Sequence, residues 1–401
     1  MNLTSMHPFW SVRNGIPCNY PPLLEDKSCE ILVLGAGITG ALVTEALVRD
    51  GHDVITLDAR DVGHGSTSAS TALLQYEVDT HLIDLISRHG QKLGELAYLA
   101  CHDSIDILER RIKELSIDCE FQRKDSVYLA SREKDWPVLR EEAVARRRIG
   151  IQVEEWDATE VALKFGFYRP GALHSIQGAE VDAYKLTHGL LGAAADKGAR
   201  IFDRTAATKV EHHAGGVTVT TNRTTTVRAQ KVVVASGYEA AELFDTARFV
   251  NLNSSFAIAS EPIPEAAPWW KRCLLWESAR PYFYLRGAAD GRAIFGGEDV
   301  PFRNAKARDL MLPAKAKKLA ARFRDMFPAI RLEAAFEWAG TFGETEDGLA
   351  YIGTYDKHPD CLFALGFGGN GITYSVIASE IIRSHLKGKK HHYAEVFRFD
   401  R

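Results

Sequence analysis

The chain has 401 residues, with 49 Lys and Arg against 53 Asp and Glu, a formal charge of −4. Its 46% hydrophobic and 25% charged content excludes a disordered chain, and its slight acidity excludes a nucleic-acid binder held by bulk charge. At this length roughly two to three domains are expected, since a single core stops growing well before 401 residues. The 32 glycines cluster towards the two ends of the chain.

Residues 1–28, with Pro8, Pro17, Pro21 and Pro22, read as an extended lead-in pinned by Phe9 and Trp10. There is no basic start followed by an apolar run, so no signal peptide is expected, and no apolar run reaches the ~18 residues of a membrane span. The six cysteines are scattered without a CxxC, so no metal site is expected and a cytoplasmic setting with free thiols is the default. Residues 30–34 form a short buried strand, 38–50 a helix stopped at Gly51, and 53–57 a second strand: a β-α-β unit. A Gly/Ser/Thr stretch follows at 63–71. Helices are predicted over 91–115 and 132–149, the second ending in Arg146, Arg147 and Arg148, a charge run expected on a solvated face. A strand at 172–175 and a helix at 183–197 precede short strands at 200–202, 208–212, 217–221, 225–228 and 231–235, with Gly215 and Gly216 marking a hairpin. Residues 250–298 are strand-rich, 314–326 helical, and 333–339 and 361–365 strands. The run Gly366–Gly371 then opens a helix over 372–385.

Gly35-Ala36-Gly37-Ile38-Thr39-Gly40 is a GxGxxG between strand and helix. Gly35 permits the turn, Gly37 lets backbone approach a pyrophosphate, and Gly40 lets helix pack on sheet. Asp58, at the end of the second strand, stands where an acidic residue binds a ribose hydroxyl, with Ala59 and Arg60 beside it. This predicts dinucleotide binding and leaves NAD and FAD both open.

Three further segments carry a resemblance. Residues 63–74 (GHGSTSASTALL) resemble the second cofactor loop of the FAD-dependent D-amino-acid oxidase-like superfamily, to which glycine oxidase and sarcosine oxidase belong. Residues 231–238 (KVVVASGY) resemble its VVxATG strand. Residues 345–353 (TEDGLAYIG) followed by 366–373 (GFGGNGIT) resemble its C-terminal flavin signature. The order holds from about 29 to 387. The resemblance implies a two-domain α/β fold: a glutathione-reductase-like FAD-binding Rossmann domain over 29–80, 168–245 and 336–401, and a substrate domain of mixed or antiparallel sheet with helices over 81–167 and 246–335. It implies non-covalent FAD, since neither Cys273 nor Cys361 matches a linkage position. The residues expected to hold it, besides those above, are Gly65, Ser66, Thr67, Ser68, Val210, Ala235, Gly237, Gly340, Gly368, Gly369, Asn370, Gly371, Ile372 and Thr373.

The resemblance implies hydride removal from a carbon bearing an amine, the imine then hydrolysing, with O2 or another carrier as electron acceptor. The alternatives are oxidation of a 2-hydroxy acid, or a flavin-bearing non-catalytic subunit of a dehydrogenase complex. Phe342 and Thr373 stand where relatives place a carboxylate-binding arginine or lysine, so simple α-amino-acid specificity is not expected. Ile294 or Phe295 aligns with the lysine that assists oxygen in oxidases. Alternation over 278–286 puts Arg280, Tyr282, Tyr284 and Arg286 on one face. Tyr282, Tyr284 and Arg286 are substrate candidates, and Gln75, with Tyr76 and Glu77, is expected near the ring.

Overall fold

The computed structural model describes residues 2–263 and 272–401, so part of the strand-rich region, residues 264–271, lies outside the described residues. Strand Lys27–Leu34 is buried on both faces over its apolar end, Ile31 to Leu34, as a central parallel strand requires, and it pairs in parallel with Val54–Leu57 and Thr226–Val234. These strands belong to an eight-stranded sheet running, in spatial order, Tyr351–Tyr355, His358–Leu365, Thr226–Val234, Lys27–Leu34, Val54–Leu57 and Arg200–Phe202. An antiparallel hairpin, Ala207–His213 with Gly216–Thr221, joins it through Thr226–Val234. Helices Ile38–Arg49, Ala183–Asp196 and Gly371–Leu386 pack together, their apolar sides in the largest core.

The second sheet has nine strands and is mixed: mainly antiparallel, with Cys273–Glu277 parallel to Gln122–Leu129. Helix Ala305–Met326 covers it through Leu312, Leu319 and Phe323. Three of its strands, Leu73–Gln75, Gly171–Glu180 and Ala334–Glu344, come from segments that sequence grouped with the cofactor-binding part. Among the described residues no helix is long and apolar enough to cross a membrane.

Three local expectations change. The helix predicted from 314 begins at Ala305 and runs through Pro313; Asn304 caps it by accepting from the Ala307 N–H at 2.8 Å. The lead-in contains a helix, Phe9–Asn14, with Phe9 and Trp10 each 1% exposed. Arg146 is not on a solvated face. It is fully buried, its Nε donating to Glu142 Oε1 at 2.8 Å and its guanidinium lying 5.5 and 5.2 Å from the Tyr76 and Tyr98 rings. Only Arg147 and Arg148 face solvent, so the run of three straddles the helix boundary between core and water.

Candidate active site

A long cleft runs between the sheets as two adjoining cavities that share Ile38, Ser66, Thr67 and Tyr238. The outer cavity is the dinucleotide end. Gly35, Gly37, Ile38, Thr39, Asp58, Ala59, Arg60, Gly65, Ala235 and Gly237 line it, with Thr205–Thr208 on the far side. Backbone packs so tightly here that side chains are excluded: at Gly35 (φ 106°) a Cβ would lie 2.5 Å from the Ala235 carbonyl oxygen, and at Gly40 one would lie 1.8 Å from the Gly35 oxygen. Gly40 thus acts from beneath the cleft and does not line it. Helix Ile38–Arg49 begins at Gly37 with no side-chain cap, leaving its first N–H groups towards the cleft; the Ile38 N–H donates to Thr67 Oγ1 at 3.0 Å.

Asp58 accepts from the Ala36 N–H at 2.7 Å and the Arg60 N–H at 2.9 Å. Burial pushes its carboxyl up to about 6, against these N–H groups and the Arg60 charge. Arg60 itself is paired with Glu239.

The inner cavity lies where helix Gly371–Leu386 begins. Gly368, Gly369, Asn370, Gly371 and Ile372 form one wall. The helix has no side-chain cap, because the Asn370 Nδ2 donates instead to the Glu77 carbonyl at 2.8 Å, and around Gly371 a Cβ would meet nothing within 4 Å. Gly340, Thr341 and Phe342 form a second wall, with Gln75, Glu77, Asp79, Trp276, Tyr282, Tyr284 and Asp299 closing the rest. Among the described residues no Lys, Arg or His lines this cavity. The loop at 66–71 is held from below by indole N–H groups: Trp10 donates to the Ser70 oxygen at 2.7 Å and Trp338 to the Ala69 oxygen at 2.9 Å.

Several sequence candidates sit elsewhere. Arg286 is 1% exposed and faces away from the cavity, 3.5 Å from Glu180, donating to the Val181 oxygen at 3.1 Å and stacked 5.1 Å from the Trp10 ring. Tyr282 and Tyr284 both border the cavity, as alternation expects, although regular strand structure starts only at Phe283; Arg280 lies beside Asp79, and Arg286 is the one of the four that turns away. Tyr76 points into the core beside Arg146, while Gln75 and Glu77 border the cavity. Val210 packs against the third core; positions 205–208, a little earlier in that hairpin, face the cleft. Ser68 donates inward to the Gly65 oxygen at 3.0 Å, and Thr373 to the Asn370 oxygen at 2.9 Å. Ile294 and Phe295 are buried in cores, and Cys273 and Cys361 are buried away from both cavities.

Sequence reasoning missed Asp79 and Asp299. Asp79 Oδ2 accepts from the Gly369 N–H at 3.2 Å, and the Tyr282 hydroxyl donates to Oδ1 at 3.3 Å. Asp299 owes its direction to a β-bulge. Gly297 pairs with Phe256 and Val300 with Ser254, so two residues, Glu298 and Asp299, oppose Ser255 alone, and Glu298 takes φ 58°. Burial pushes the Asp299 carboxyl up to about 7, opposed by hydrogen bonding from Ser255 and reinforced by Asp79 and Glu344. Its Oδ1 is buried without a hydrogen-bond partner. The acidic pair Glu298-Asp299 after two glycines was the available signal, but a bulge cannot be read from alternation.

The cleft therefore offers a glycine-lined helix N-terminus at one end, with the Asp58 carboxyl beside it, and a second helix N-terminus at the other. The sequence shares this layout with known proteins. Gamma-glutamylputrescine oxidoreductase of Escherichia coli (strain K12) is 25% identical over 92% of this chain and 86% of its own. Glycine oxidase of Geobacillus kaustophilus (strain HTA426) is 24% identical over 90% of this chain and 93% of its own. The crystal structure of glycine oxidase from Geobacillus kaustophilus superposes with a TM-score of 0.76 at 21% identity, covering 91% of this chain and 96% of that one. L-amino acid deaminase from Proteus vulgaris superposes with a TM-score of 0.80 at 16% identity, over 96% and 99%. The FAD dependent oxidoreductase (DAO) family matches residues 30–384, most of the chain, and the chain belongs to that family.

Proposed function

We propose that the chain oxidises the CH–NH bond of an amine or modified amino acid, using non-covalently held FAD, in the cytoplasm. The observation that carries this is Asp299: a carboxylate facing the inner cavity with an unpartnered Oδ1, where a substrate ammonium would find its counter-charge. The cleft fits FAD on its own geometry, because side chains are sterically excluded at Gly35 and Gly40 and uncapped helix N-termini stand at both ends. Gly35, Gly37, Ile38 and Thr39 would hold the pyrophosphate and Asp58 a ribose hydroxyl. Ser66 and Thr67 would hold the linker between them, and Gly369–Ile372 the polar edge of the ring. Bound there, FAD would supply the hydride acceptor, with O2 or another carrier as the final electron acceptor.

The chain's own residues prepare the substrate. An ammonium carbon cannot lose hydride until nitrogen has a lone pair, and the Asp299 carboxylate, which borders the cavity, would accept that proton. The rings of Trp276, Trp338, Tyr282 and Tyr284 line the cavity and would pack against the apolar part of the substrate. A 2-hydroxy acid would need a cation for its carboxylate, and among the described residues the lining provides none. Anaerobic mixing of the flavoprotein with amine and 2-hydroxy-acid panels tests the reading. Loss of the flavin absorption band with amines is expected; bleaching only with 2-hydroxy acids overturns it. The same reduced sample exposed to O2 or to a dye identifies the acceptor.

A further inference from the structure

Resting on the CH–NH reading, we infer that the substrate is a short diamine or polyamine, carrying a second positive charge and no carboxylate beside the reacting carbon. One wall of the inner cavity is a polar ladder. Asp79 Oδ1 meets the Tyr282 hydroxyl at 3.3 Å, the Tyr282 and Tyr284 rings lie 6.1 Å apart, and the Tyr284 hydroxyl meets Ser255 Oγ at 3.3 Å. Ser255 in turn hydrogen-bonds the Asp299 carboxyl. Two carboxylates thus bracket two phenol rings, the arrangement that binds a cation at each end of a short apolar chain.

The charge balance points the same way. Asp79 and Glu344 raise the proton affinity of Asp299, Asp79 raises that of Glu344, and Arg280 is the guanidinium set against them. Arg280 is 3.6 Å from Asp79 with its side chain 54% exposed, at the mouth and outside the lining. Deeper in, Glu77 is 4% exposed, borders the cavity and keeps an Oε2 with no hydrogen-bond partner, while Arg146 lies 3.7 Å from its other oxygen. A carboxylate-bearing substrate would meet only like charge in this lining, a costly match. A dication relieves the mutual repulsion of the carboxylates.

The test uses the flavin-loaded protein with 1,4-diaminobutane, butylamine, glycine, sarcosine and lactate, following anaerobic flavin reduction. The diamine is expected to exceed butylamine at least about tenfold in kcat/KM, as one extra charge-assisted contact implies. Asp79→Asn is expected to lower that preference about tenfold while flavin content and Tm hold. A binding measurement stands beside it: 1,4-bis(trimethylammonio)butane should perturb the flavin spectrum where succinate does not. Faster reduction by glycine or sarcosine than by the diamine overturns the inference and leaves the CH–NH reading intact. Reduction by lactate alone overturns that reading. No reduction by any compound, with no perturbation by the dication, overturns the inference.

Discussion

Along its outer half the cleft is built largely from backbone: Gly35, Gly37, Ala235 and Gly237 leave peptide groups facing the space, and the Asp58 carboxyl is itself fixed by two backbone N–H groups. Along its inner half it is built from side chains, with Asp299, Tyr284 and Trp276 on strands of the other sheet and Asp79 and Tyr282 on segments flanking its strands. A backbone-made site tolerates almost no substitution, because what it needs is the absence of atoms. A side-chain-made site can change its ligand without touching the fold, which is why one architecture serves many substrates.

The contrast can be broken most severely at Gly40. Gly40→Ala puts a methyl 1.8 Å from the Gly35 oxygen, so the purified variant is expected to carry less than about a tenth of the normal flavin, read as visible absorption per protein. A variant that stays yellow would show that the cradle is not set by that contact. Next in size is the support of the inner half. Arg146→Ala strands Glu142 and Glu77 in the core and should cost about 3–5 kcal/mol in denaturant unfolding, whereas Arg148→Ala should change stability by less than about 0.5 kcal/mol. Equal effects would mean that the buried pairing contributes nothing.

The Asp58 carboxyl offers a smaller, pH-resolved test. Burial raises it to about 6, so the ionised form that accepts ribose hydroxyls is scarce below that pH and dominant above it. FAD affinity in reconstitution should therefore rise about tenfold from roughly pH 5 to 7, and a flat profile would remove Asp58 from the nucleotide's contacts. Smallest of all, Val210→Thr should leave flavin affinity within about twofold, since Val210 packs in the core and does not border the cleft.

The outer half was largely legible in the sequence because its requirements are local. Gly35, Gly37, Gly40 and Asp58 fall within one β-α-β unit, and each spacing has a steric reason. The serine loop and the turn at 366–371 were legible through resemblance. The inner half was not, because its residues arrive from distant strands whose facing is set by partners. Arg286 alternates correctly with its neighbours, yet turns to Glu180 on a strand far away in sequence. Asp299 faces the cavity only because a bulge shifts its register. Arg146 looks like a surface charge until Glu142, Glu77 and two tyrosines surround it. Sheet membership of Gly171–Glu180 and Ala334–Glu344 was hidden for the same reason: pairing partners are not neighbours in sequence.

The lead-in segment has a consequence in time. Thr4 bridges to Gly340, the Leu3 oxygen accepts from the Thr341 N–H at 2.8 Å, and Arg308 donates to the Asn2 and Thr4 oxygens at 3.0 and 2.8 Å. Leu3 also borders the nucleotide end of the cleft, and Trp10 holds the loop beneath it. Residues 2–4 therefore meet partners, Arg308, Gly340 and Thr341, that are synthesised about 300 residues after them. Until the strap docks, the outer edge of strand Ala334–Glu344 lacks this cover. The interval between synthesis of that strand and docking of the strap is the chain's window of greatest exposure to edge-to-edge association, and early occupation of the cleft shortens it by favouring the closed form.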